Sequence, residues 1–214
     1  VLLDAGLVGG LGDDGQALLD RPSDQDLGGG ATGGGCDPAD DRITEAGIVR
    51  VDVAPSGGPP HVAEWSTLVD PGVPIPPVIQ AMTGITDTMV RGAPTFGSLA
   101  RDIAERLDGC LFVAHNARFD YGFLKNEFKR IERAFQPRVL CTVKLSRALY
   151  PEHHRHGLDA LIARHHLACE ARHRALGDAR VLWDFVQLVQ AEKPPEAIQA
   201  ALKKAMKTSS LPSG

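Results

Sequence analysis

Residues Cys110-Leu111-Phe112-Val113-Ala114 form an unbroken apolar run with a helical pattern on either side. A strand this short with no polar face must be covered on both sides, as strands at the centre of a partly parallel sheet are. Upstream, Phe96, Leu99, Ile103 and Leu107 recur at helical spacing behind Thr95, a candidate N-cap. Downstream, Asn116 can cap a helix over residues 117–131 that turns Phe123, Leu124, Phe128 and Ile131 inward. Before this unit, residues 43–53 and 61–69 read as a hairpin around a turn at Pro55–Pro60. Residues 71–92 are punctuated by Pro and Gly, with at most one short helix near 78–82. Beyond it come a short strand at 139–143, helical patterns at 158–166 and 179–191, and a last helix from Pro194-Pro195 to about Met206. A hairpin followed by strands alternating with helices predicts an α/β fold, a mixed sheet flanked by helices.

The chain has 214 residues and ordinary globular composition, 43% hydrophobic and 23% charged. No apolar run approaches the roughly 18 residues of a membrane span. Cys36, Cys110, Cys141 and Cys169 form no C-x-x-C pair, which fits a reducing compartment and disfavours a disulfide framework. No basic residue precedes Arg21, so no secretory n-region is visible, and a cytoplasmic location is expected. The chain opens on Val1 and ends in a Ser-Gly tail, as a fragment of a longer protein would.

Net charge is −4, but it is unevenly spread. Residues 1–42 hold nine Asp against Arg21 and Arg42, and eleven of the 23 glycines. Residues 1–41 are therefore expected to be flexible, with at most a short element near Ala17–Leu19. Residues 42–191 form the expected domain, and 192–214 a C-terminal helix and tail, a possible linker. Past residue 42 the charge is +3, which permits contact with a short nucleic-acid end but does not predict an extended duplex grip.

Three constellations carry chemistry. Asn116 and Asp120 follow the apolar strand as N-x-x-x-D, and His173 and Asp178 form H-x-x-x-x-D before a helical pattern. Asp41-Arg42-Ile43-Thr44-Glu45 opens the hairpin. Carboxylates from separate segments can hold Mg²⁺, which prefers hard oxygen ligands and keeps waters and phosphate in its shell. A histidine with an ordinary pKa near ~6.5 can act as a base at neutral pH. Five residues turn about 500° on a helix, so His173 and Asp178 cannot share a face. His173 is expected on the loop ahead of the helix.

In this order the three segments resemble the DnaQ-like 3′–5′ exonucleases, the family of the proofreading epsilon subunit of bacterial DNA polymerase III. The resemblance covers roughly residues 40–190 and includes Glu64–Val69, Thr83-Gly84-Ile85-Thr86 and Leu140-Cys141-Thr142. It implies an RNase H-like fold with a mixed five-stranded sheet flanked by helices, and a two-metal site with Mg²⁺ or Mn²⁺. The implied substrate is a single-stranded or frayed DNA 3′ end, and polymerase III subunits are the implied partners. It makes Asp120 and Asp178 metal ligands and His173 the general base. Asn116 would orient the second motif, and Thr83, Gly84 and Ile85 would lie near the terminal nucleotide.

The family's first motif, D-x-E-T-x-G on the opening strand, is degenerate here. Asp26-Leu27 and Thr32-Gly33 match its ends, which makes Asp26 the first carboxylate and puts Gly28 in place of the Glu. A shifted register gives Asp24 with Asp26. Val1-Leu2-Leu3-Asp4 has the apolar run such a strand needs, but Asp4 lies 39 residues before Ile43 and demands a long insertion. The alternatives are an exoribonuclease of the same superfamily, or a catalytically impaired domain that serves as a binding partner in replication or repair.

Other residues have plainer readings. Glu45 is either a structural or substrate-near residue, as the resemblance implies, or a solvated strand-face residue, and His115 is a strand-end hydrogen-bonder. His153, His154, His156, His165 and His166 match no standard zinc spacing. Lys125, Lys129, Arg130 and Arg133 read as a solvated basic helical face, with phosphate contact as the minority reading.

Overall fold

The computed structural model describes residues 42–53 and 58–207, together with the strands at 2–4 and 7–8. Its main sheet has five strands. The outer hairpin pairs β4 (Glu45–Asp52) with β5 (His61–Leu68), antiparallel. Two parallel strands, β6 (Leu111–Ala114) and β7 (Arg138–Cys141), form the other side. Between them lies β1 (Leu2–Asp4), antiparallel to β4 and parallel to β6, giving the order β5-β4-β1-β6-β7. A second small sheet pairs β2 (Leu7–Val8) with β3 (Arg42–Ile43).

The middle strand thus comes from the first residues of the chain, where the sequence suggested a flexible segment. Residues 9–41 are an insertion between two paired strands, Val8 standing opposite Arg42. Such an insertion is tolerable because loop-closure entropy grows only with the logarithm of length, about 0.6 kcal/mol per doubling. Asp24, Asp26 and the element suggested near Ala17–Leu19 lie outside the described residues.

The sheet is covered on both faces. Phe112 and Ala114 of β6 are buried on one side with α3 (Phe96–Leu107) and α4 (Arg118–Arg130), among Phe96, Ile103, Phe123 and Phe128. Val113, which points the other way, joins Val49 and Leu140 beneath α5 (Thr142–Leu149), α6 (Leu158–His165), α7 (Ala175–Glu192) and α8 (Pro195–Lys207). This alternation is what a strand buried on both faces requires. Between β5 and α3, α1 (Pro77–Thr83) and α2 (Asp87–Val90) build a satellite core of Ile75, Ile79, Ile85 and Val90.

Several local readings change. Residues 71–92 hold two helices, α1 and α2, where the sequence suggested at most one, because Thr86 caps a second short turn after Gly84 ends the first. The strand expected at 139–143 ends at Cys141, and Thr142 starts α5, whose buried Leu145, Ser146 and Leu149 follow helical spacing. The β-branched pair Thr142-Val143 had hidden that start. Neither Thr95 nor Asn116 caps through its side chain: Asn116 is left-handed at φ 58°, and Ala117 holds the N-cap position of α4. The supposed basic face of α4 is partly committed, because buried Glu127 binds Arg42 at 2.7 Å and Arg130 at 3.0 Å.

Candidate active site

β1 and β6 run parallel side by side, so their carboxyl ends reach the same end of the sheet. Asp4 closes β1 and stands opposite Gly47 of β4. Gly47 in turn meets the start of α7. A Cβ on Gly47 would lie 2.3 Å from the Leu176 nitrogen and 2.4 Å from the Ala175 carbonyl carbon, so strand and helix touch backbone to backbone. The second motif leaves from β6 and the third opens α7, so the topology brings both to the end of the sheet where β1 finishes.

Glu45 fixes α7 in this place. Its Oε2 accepts the Ala175 N–H at 2.8 Å, and its carboxylate takes the Arg174 guanidinium, with Nη2 to Oε1 at 2.7 Å. The side chain is buried, so Glu45 is a helix anchor and not a solvated strand residue. A carboxylate on the first free N–H groups also complements the helix dipole.

His173 lies on the loop ahead of α7, as its spacing from Asp178 implied. Its backbone is left-handed, φ 64°, a conformation that a non-glycine residue adopts at a cost of about 1 kcal/mol. Gly177 lets the loop fold tightly, because a Cβ there would strike the Ala171 carbonyl oxygen at 2.2 Å. Burial and the nearby Arg172 hold the half-buried His173 imidazole below its ordinary pKa.

Asp178 occupies the first turn of α7 and is buried. Its Oδ2 accepts Arg172 Nη1 at 2.5 Å, while its buried Oδ1 has no hydrogen-bond partner. Burial pushes the Asp178 carboxyl up to about 6, against the pull of Arg172. Arg172 also reaches Asp159, at the start of α6, through Nε at 2.6 Å. Asp120 is buried in the first turn of α4.

His115, just beyond β6, stays neutral. Burial above all, with Arg172 adding to it, pushes its pKa down to about 3. His115 Nδ1 shares a 2.9 Å hydrogen bond with Thr142 Oγ1, a hydroxyl that also lies 3.3 Å from the Ala114 carbonyl. His115 is therefore the hydrogen-bonder that the sequence suggested. His156 is likewise used internally, on Ser146 Oγ and the His153 carbonyl.

The segment expected near a terminal nucleotide is mostly occupied with its own fold. Thr83 Oγ1 donates to the Ile79 carbonyl at 2.8 Å and accepts the Ile85 N–H at 3.1 Å. Ile85 is fully buried in the satellite core, so its side chain is closed to a ligand. Gly84, left-handed at φ 70° and exposed, is what this segment presents outward.

Asp120 and Asp178 are hard oxygen donors, and the unpartnered Oδ1 of Asp178 is the kind of buried atom a dication satisfies. The two fit a divalent metal. Among the described residues, no group of three or more metal-capable side chains gathers. Reasoning from sequence missed Arg172, Asp159 and the Arg174–Glu45 pair. Only the charged Glu45 at the start of the strand, ahead of the apolar Ala46–Val49 stretch, hinted at any of them.

The family model for RNase_T exonucleases matches residues 34–185. The chain belongs to the RNase_T exonuclease family. A relative within reach of this RNase_T domain is a bifunctional exonuclease/endonuclease protein, described as putative, of Mycobacterium tuberculosis. It is 40% identical over 162 residues, 74% of this chain and 24% of that protein. The 3′–5′ exonuclease DinG of Staphylococcus saprophyticus is 35% identical over 55% of this chain and 13% of its own length. The PolC-type DNA polymerase III of Streptococcus sanguinis is 38% identical over 62% and 9%. The chain thus spans a quarter or less of these relatives. Among solved structures, exonuclease X in complex with 5′ overhanging duplex DNA superposes with a TM-score of 0.55 and 25% identity, over 77% of this chain and 89% of that one. Exonuclease I shares the fold, with a TM-score of 0.64 over 77% of this chain and 40% of its own. The RNase H-like architecture and the DnaQ-like resemblance are both shown by these matches. One exonuclease I structure carries a zinc ion and single-stranded DNA, in keeping with a family that generally depends on divalent metals.

Proposed function

We propose that this domain is a 3′–5′ exonuclease that removes nucleotides from single-stranded or frayed DNA ends. The observation that carries the reading is Asp178, buried at the mouth of α7 with one oxygen unpartnered and His173 held on the loop just ahead of it. Mg²⁺ or Mn²⁺, when bound, would stabilise the attacking and leaving oxygens of an in-line displacement. Asp120 and Asp178 would hold the metal. His173, kept below its ordinary pKa, is neutral near pH 7 and accepts the proton of the attacking water. Asn116, left-handed between β6 and α4, sets the path of the chain into Asp120. The Thr83–Ile85 turn offers the backbone of Gly84 to a terminal nucleotide.

For the first carboxylate we favour Asp4 over Asp26. Asp4 ends the middle strand, where the D-x-E-T-x-G motif belongs in this family. From Asp4 the motif runs Asp4-Ala5-Gly6-Leu7-Val8-Gly9, so its Glu position is Gly6. That substitution favours a second reading, a domain of reduced catalytic power that retains binding to DNA ends. The PolC-type DNA polymerase III among the relatives, far longer than this chain, supports a domain that works inside a longer polymerase-associated protein, and a cytoplasmic location belongs to the same reading. Among the described residues, no helix is long and apolar enough to cross a membrane.

The test is digestion of 5′-labelled single-stranded DNA with Mg²⁺ or Mn²⁺, beside the Asp178→Ala variant. A ladder shortening from the 3′ end, absent in the variant, is the expected result. Cleavage unchanged in Asp178→Ala overturns the assignment. No cleavage, with retained binding to 3′ ends, selects the impaired-domain reading.

A further inference from the structure

Arg172 belongs to none of the motifs, yet it is the cation seated on Asp178. One guanidinium spans two acids of different exposure. Nη1 sits on Asp178, whose side chain is 10% exposed, and Nε on Asp159, which is 65% exposed. We infer that Arg172 competes with the divalent ion for Asp178, and so sets the metal concentration at which the site loads. The inference rests on the reading of Asp178 as a metal ligand.

The physical case has two branches with one outcome. An ion that takes Asp178 Oδ2 must displace a charge-assisted hydrogen bond of 2.5 Å. An ion that takes only the unpartnered Oδ1 binds a carboxylate whose charge is already compensated, beside a fixed positive charge that solvent screens poorly in a buried site. Asp159 is the alternative holder. It is solvated and already bonded through Nε, so it can keep the guanidinium when Asp178 gives it up. Asp159 and Asp178 therefore divide Arg172 between them, and weakening one strengthens the hold of the other.

This separates Arg172 from an orienting partner. Removing a group that merely aims a metal ligand lowers affinity, typically by 10–100-fold. Removing a competitor raises it. The experiment is calorimetric titration of Mn²⁺ alone into the full chain, for wild type, Arg172→Gln, Asp159→Asn and Asp178→Ala. Arg172→Gln is expected to bind Mn²⁺ roughly 10-fold tighter, one positive charge having left a partly buried site. Asp159→Asn, which leaves the guanidinium to Asp178, is expected to bind several-fold more weakly. In thermal melts, Arg172→Gln should gain more from saturating Mn²⁺ than wild type does. Equal or weaker binding by Arg172→Gln, with Asp178→Ala silent, overturns the competition and leaves the metal assignment standing. Identical binding by wild type and Asp178→Ala overturns the metal assignment itself. If Arg172→Gln does not fold, Asp159→Asn decides alone, and unchanged or tighter binding there overturns the inference.

Discussion

A methyl group at residue 47 has no space to occupy. Its nearest neighbours are backbone atoms of Ala175 and Leu176, which cannot rotate away as a flexible side chain would. Gly47→Ala is expected to lower stability by about 3 kcal/mol, because β4 and the start of α7 must separate. Urea unfolding measures it, and a loss under ~1 kcal/mol would show that the contact relaxes easily. At the same scale, His115 makes stability depend on pH. Its folded pKa is about 3 and its unfolded value near ~6.5. Between those values the unfolded chain takes up a proton that the folded chain refuses. The contribution of neutral His115 is therefore complete above pH ~6.5 and is lost as pH falls toward 3. The urea midpoint of wild type should drop more steeply from pH 6.5 to 5 than that of His115→Asn, which keeps a hydrogen-bonding group toward Thr142 but has no imidazole. Parallel slopes would mean that His115 is hydrated and titrates normally.

At the scale of elements, the first turn of α7 is positioned by β4. Glu45 ties down both Ala175 N–H and Arg174, and Asp178 follows three residues after Ala175. Glu45→Gln leaves the Arg174 cation without its acid and weakens the anchor. The expected loss is about 2 kcal/mol, reduced from the buried-pair range because Arg174 is 37% exposed on the other side. Hydrogen exchange should report it locally, with faster exchange at the amides of 175–178 and little change in α3 or α4. Uniform acceleration across the domain would instead mean a general loss of stability. The sequence made most elements legible, because α3, α4, α6, α8 and the hairpin each carry a clean period. It missed α5, whose β-branched start imitates a strand, and it began α7 four residues late, at Ala179. Ala175 and Gly177 are buried for close packing against β4 and the preceding loop, not for apolar periodicity.

At the scale of the whole molecule, the sheet is assembled from both sides of a long insertion, and this decides which first-motif residues matter. If Asp4 is the first carboxylate, Asp4→Asn should abolish 3′ shortening, whereas Asp26→Asn should leave it intact. Gly6→Glu, which restores the motif's missing acid, should raise the turnover of single-stranded DNA by at least about 10-fold. Inactivity of Asp26→Asn, together with no gain from Gly6→Glu, would return the first motif to the insertion. The same turnover assay, run at saturating Mn²⁺, checks all three variants.

The second and third motifs, the covered parallel strand and the order of elements follow from the sequence, because each is a local pattern of residue type and spacing. The sequence also placed His173 off its helix, since helical pitch alone forbids it a shared face with Asp178. Other features belong to the tertiary structure. Pairing across thirty-odd inserted residues has no local signature, so only the sheet shows that Leu2–Asp4 is its middle strand. The burial of Glu45 under Arg174, and the division of Arg172 between Asp159 and Asp178, depend on which segments meet at the end of the sheet. Residue type and spacing do not encode which charges find each other once solvent is excluded.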